Sequence, residues 1–76
     1  MKKNWTSANL AYLLRVTQDS DVDARVSLGW VTIAHIEEED GFWFVRLKGE
    51  SAPISMRGSL NVEEAVEALV KYLTPE

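Results

Sequence analysis

The spacing of apolar and polar positions changes along the chain, from near-alternation in the centre to a helical period at the C-terminal end. In SLNVEEAVEALVKYLTPE, Val62, Ala65, Val66, Leu69, Val70 and Leu73 recur at helical spacing, while Glu63, Glu64, Glu67 and Lys71 fall largely on the other side. Asn61 is placed to cap the free amides of the first turn. Glu64 can complete a capping box and Leu60 can pack down as its staple. The pattern predicts an amphipathic helix of about twelve residues, stopped by Pro75.

Before this helix the chain reads as strands. Asp40-Gly41 is a two-residue hairpin turn, because glycine accepts positive φ and aspartate tolerates it better than most. That turn sets Glu39 opposite Phe42, Ile36 opposite Val45 and Ala34 opposite Leu47. Trp30, Ala34, Ile36, Trp43, Val45 and Leu47 then share one face, and Val31, Ile33, His35, Phe42, Phe44, Arg46 and Lys48 share the other. The first group is almost purely apolar and is expected to receive the helix. A six-residue strand spans about 20 Å, against about 18 Å for the helix.

Lys48 to Ser51 supplies a turn, and Ala52 to Arg57 reads as a short third strand, with Ile54 and Met56 on one side and Ser55 and Arg57 on the other. Pro53 lacks an amide donor and sends that strand to an edge. Gly29 is expected to mark a bulge in a strand that starts near Arg25. Asn9 to Thr17 fits a helix with Leu10, Leu13, Leu14 and Thr17 on one stripe, and also an extended segment in which Leu10, Tyr12, Leu14 and Val16 alternate. We favour the helix. The expected architecture is an α+β domain in the order α-β-β-β-α: a small antiparallel sheet of three or more strands with the C-terminal helix on one face.

Composition narrows the function more by exclusion than by assignment. A chain of 76 residues reads as one domain, and at this length folding hides only about 60 to 65% of the unfolded surface. The absence of cysteine removes disulfides, thiolate nucleophiles and cysteine-based zinc or iron-sulfur sites. Two lysines open MKKNWTSANL as in a secretory leader, but polar residues interrupt it before an apolar segment develops. No run of about 18 apolar residues is available to span a bilayer. The expectation is a cytoplasmic protein without a membrane partner. Twelve acids against eight bases, a net charge of -4, do not favour the broad basic footprint of a duplex-binding module.

The titratable clusters point to no cofactor and no metal. Asp19, Asp21 and Asp23 have the spacing that opens a calcium loop, but Ala24 stands where that loop needs glycine and Trp30 where it needs a bidentate glutamate. Glu37, Glu38, Glu39 and Asp40 crowd a hairpin tip in water, not a cleft that would separate their pKa values for acid–base work. His35 is the sole histidine, and Gly29, Gly41, Gly49 and Gly58 lack a phosphate-cradling spacing. Nothing in the residue types points to an enzyme.

The chemistry that stands out is a sheet face with Phe42 and Phe44 beside Arg46, Lys48 and Arg57, joined by Arg25. Aromatic plates flanked by cations suit protein interfaces, and they also suit single-stranded nucleic acid, whose bases stack on rings. A third reading is structural: the N-terminal segment lies over the two phenylalanines.

Two family resemblances bear on this choice. With a first helix, the order helix, three strands, helix, together with FVRLKG and an alanine-containing last helix, resembles double-stranded-RNA-binding domains. That family carries lysines at the start of its last helix, where this chain has Glu63 and Glu64. DGFWFVRL and NVEEAVEAL are similar to parts of small antitoxin lobes of the HicB type, without the proline, glycine and cysteine signature between them. That resemblance implies a protein partner. The residues together favour a small acidic, noncatalytic protein-interaction module, acting as an adaptor, an inhibitor or a homodimer. Single-stranded nucleic-acid binding is the alternative.

Overall fold

A computed structural model of the chain describes residues 3–7 and 14–74. Five strands, β1 (Lys3–Ser7), β2 (Leu14–Gln18), β3 (Asp23–Leu28), β4 (Val31–Glu39) and β5 (Phe42–Leu47), form one antiparallel sheet in sequence order, and α1 (Val62–Leu73) follows. The fold is α+β, as the patterning implies. The helix expected over Asn9 to Thr17 is not seen: Leu14 to Thr17 belong to β2, and residues 9–13 lie outside the described residues. Leu14 and Val16 are buried while Arg15 is exposed, so the alternating option describes this stretch.

The Asp40-Gly41 hairpin has the register that its turn dictates. Glu39 pairs with Phe42, Ile36 with Val45 and Ala34 with Leu47. Both turn residues take positive φ, 54° at Asp40 and 88° at Gly41, as a type I′ turn requires.

One face of the sheet and one stripe of the helix make the core. Leu14, Val16, Ala24, Val26, Ala34, Ile36 and Val45 meet Val62, Ala65, Val66, Leu69 and Val70, with Ile33, Trp43, Leu47, Ile54 and Leu73 packed at the margin. Asn61 caps α1: its side chain accepts from the Glu64 amide at 2.8 Å. The Glu64 carboxylate accepts in return from the Leu60 amide at 3.2 Å. Leu60 itself is 68% exposed and is no staple, so this helix start is secured by its hydrogen bonds and by the burial of Val62. Thr74 closes the other end, its amide and hydroxyl both donating to the Val70 carbonyl.

Two expectations are corrected by one residue. Between β3 and β4 the register shifts: Val26 pairs with Ala34 but Ser27 pairs with Thr32, which leaves Ile33 as an extra residue on β4. A single inserted residue reverses the faces of everything before it. Trp30, expected in the core, is 95% exposed, while Val31, expected on the opposite face, pairs with Leu28 and Ile33 packs on the core margin. The bulge is therefore at Ile33, and Gly29, with φ 65°, belongs to the tight turn between the strands. Positive φ at the first central residue alone is the II′ arrangement, which glycine there permits.

The third strand expected over Ala52 to Arg57 does not form. The segment meets the β5 edge where the Ile54 amide donates to the Val45 carbonyl, and the chain meets it again beyond the segment, where Ser59 and Trp43 exchange a pair of 2.8 Å bonds. The chain between them bows away. Ile54 turns toward the core and Met56 is 87% exposed, which separates two residues expected on one side. No helix among the described residues is long and apolar enough to cross a membrane.

Candidate functional site

The open face of the sheet, opposite α1, is set by strand alternation. Because Leu14, Val16, Ala24, Val26, Ala34 and Ile36 point to the core, the alternate positions Arg15, Thr17, Arg25, Ser27, His35 and Glu37 point away from it. Phe42, Phe44 and Arg46 extend that face on β5. The register aligns Thr17, Arg25, His35 and Arg46 in one row, pairs Glu37 with Phe44 and pairs Glu39 with Phe42.

At the β5 end, Glu37, Glu39, Phe44, Arg46, Ser51, Pro53 and Met56 line a groove of about 360 Å³. Its floor is apolar and its rim is charged with both signs. The Arg46 guanidinium lies 3.6 Å from a Glu37 carboxylate oxygen and donates to the Glu50 carbonyl at 3.0 Å. Phe42 is 46% exposed beside it. The following loop comes down tightly on the two rings, with Gly58 against Phe42 and Phe44.

Of the residues singled out in the sequence, Phe42, Phe44 and Arg46 are brought together. Lys48 is exposed just past β5, its amide bound to the Ile33 carbonyl, and does not line the groove. Arg57 is on another surface, a polar depression of about 450 Å³ shared with Gly58, Ser59, Glu64, Glu67 and Lys71 of the helix side. Arg25 is held by Asp19 in a two-bond contact at 2.8 and 3.1 Å. That contact draws the first aspartate of DSDVD toward a cation. Among the described residues no three His, Cys, Asp or Glu side chains converge as metal ligands.

Met56, Pro53, Glu37 and Glu39 join the surface unforeseen. The two glutamates follow directly from the hairpin register, whereas Met56 depends on the irregular path of the loop. At the other end of the same face stands Trp30, whose ring centroid lies 6.0 Å from the Arg15 guanidinium carbon. Since Arg15 belongs to the open face, so does this indole. A glycine followed by tryptophan between two alternating segments was the available signal for a hairpin tip.

Comparison of the chain with protein-family models, with curated proteins and with solved structures finds no match in any of the three. With Leu14–Gln18 in the sheet, the element order also departs from the helix-first arrangement that resembled double-stranded-RNA-binding domains.

Proposed function

We propose that the chain is a noncatalytic protein-interaction module that engages its partner through the open sheet face around Phe42, Phe44 and Met56. The observation that carries this reading is the pairing of exposed apolar groups with balanced charge. Phe42 and Met56 are 46% and 87% exposed beside an apolar groove, and Glu39 and Glu37 stand directly across from Phe42 and Phe44. Protein interfaces use such apolar anchors within a rim of both charge signs. Phosphates would meet those carboxylates at the very rings on which bases stack, and Arg25 and Arg46 are already engaged by Asp19 and Glu37. Single-stranded nucleic acid is accordingly the second reading. A cytoplasmic setting and a role as adaptor, inhibitor or self-associating subunit belong to the same proposal.

The test compares two variants, Phe42→Ala with Met56→Ala, and Lys48→Ala with Arg57→Ala, two cations outside the groove. Protein capture by the wild type should be lost in the first and retained in the second, with both folded by circular dichroism. Binding of a labelled single strand that weakens in the cation variant and flattens its salt dependence would instead establish the nucleic-acid reading.

A further inference from the structure

We propose that the partner is a second copy of this chain, with the Trp30 indole of each copy seated in the groove of the other between Phe44, Pro53 and Met56. The inference rests on the reading that the open face binds protein and specifies what it binds. Trp30 is 95% exposed at the tip of a two-residue turn whose glycine takes φ 65°. A tight turn fixes the backbone beneath the ring, and tryptophan has only two side-chain torsions left to order, which suits it as an interface anchor. The Arg15 guanidinium carbon lies 6.0 Å from the ring centroid, which sets the indole on the side of the open face, where the groove also lies.

Groove and tip complement each other in size and charge. A space of about 360 Å³ lies at the lower end of those that accept small aromatic ligands. Met56 supplies a thioether wall that is 87% exposed and can close over a ring. On the rim Glu37 is engaged by Arg46, but Glu39 has no salt-bridge partner among the described residues. Arg15, in turn, has no carboxylate partner among them and would arrive beside the indole. An Arg15 to Glu39 contact across the interface completes both.

The placement also closes by symmetry. Trp30 precedes β4 and Glu37 and Glu39 end it, so tip and groove lie at opposite ends of one strand, roughly 25 Å apart at the usual rise. Because the tip lies toward β3 and the groove toward β5, two open faces packed about a two-fold axis in the interface plane, with their β4 strands crossing obliquely in antiparallel sense, put each tip over the other groove. Such a contact is isologous and ends at a dimer. The central Arg25, His35 and Arg46 row brings arginines already accompanied by Asp19 and Glu37.

Sedimentation over a wide concentration range tests the proposal with the wild type, Trp30→Ala, Arg15→Glu, Glu39→Arg and the double Arg15→Glu/Glu39→Arg. The wild type should dimerise, and Trp30→Ala should weaken dimerisation by at least about tenfold with its circular dichroism and melt unchanged. Each single charge reversal should weaken the dimer and the double reversal restore it. A wild type that stays monomeric at high micromolar concentration overturns the proposal, as does a Trp30→Ala protein that dimerises like the wild type or a double reversal that restores nothing. A monomeric wild type that still captures another protein through Phe42 and Met56 would sink self-association alone; failure of both experiments would remove the module reading as well.

Discussion

Gly58 lies so close to Phe42 that a methyl group added to its Cα would stand 2.5 Å from the Phe42 Cβ and 3.0 Å from the Phe44 ring. The close approach explains how the loop can hold Ser59 in its bonds to Trp43 while crossing the phenylalanine side of β5. Phe42 Cβ is fixed to the strand backbone and cannot swing aside, so Gly58→Ala must push the loop off the edge. We expect a loss of about 1 to 3 kcal/mol in urea unfolding, together with faster amide exchange at Ser59. A neutral Gly58→Ala would mean that the loop does not pack on these rings.

Leu69 is fully buried where the helix stripe meets the sheet. Truncation to alanine removes its contacts and leaves a cavity in a core of small and medium side chains. Leu69→Ala should cost about 2 to 5 kcal/mol, a large share of the stability of so short a chain. A loss below about 0.5 kcal/mol in denaturant melts, the range of ordinary surface changes, would place α1 on another face.

The start of α1 depends on reciprocal hydrogen bonds among Leu60, Asn61 and Glu64. Asn61→Ala leaves a first-turn amide without its acceptor and should cost about 1 kcal/mol, while Asn61→Asp should be nearly neutral because aspartate caps as well. Leu60→Ala should change stability by no more than about 0.5 kcal/mol, since its side chain is mostly in solvent. Thermal melts of the three variants check the order; a larger loss at Leu60 than at Asn61 would restore the staple.

What the residues disclosed in advance follows how locally each feature is determined. The Asp40-Gly41 register and the Val62–Leu73 helix were legible because turn chemistry and caps act within a few residues of the pattern they organise. The face of Trp30 was not, because one extra residue at Ile33 reverses the alternation and no residue type announces it. The Leu10 to Thr17 stretch contains adjacent leucines that serve either period, and pairing on both sides with β1 and β3 decides for strand at Leu14–Gln18. For the site, the ring pair and Arg46 could be read from alternation. Arg57 and Met56 could not, since a segment joined to the edge at only two points follows no fixed period.

The hairpin tip gives the last prediction, and it separates backbone conformation from charge. Asp40 has φ 54° and Gly41 has φ 88°, both in the left-handed region. A side chain at Gly41 meets no atom within 4 Å, so any cost of Gly41→Ala is conformational and should be about 1 to 2 kcal/mol. Asp40→Asn acts in the opposite direction. Asparagine before glycine is the most favoured pair in this turn, and the change also removes one of four consecutive acids, Glu37 to Asp40. It should stabilise by about 0.5 kcal/mol at low salt, and the part that comes from relieved repulsion should shrink at high salt, where exposed charges are screened. Urea melts of both variants at two ionic strengths resolve the two contributions: Gly41→Ala should lose the same stability in each, and Asp40→Asn should gain more in the dilute buffer. A salt-independent gain at Asp40 would assign the whole effect to the turn backbone, and a neutral Gly41→Ala would show that the turn is not of the I′ type.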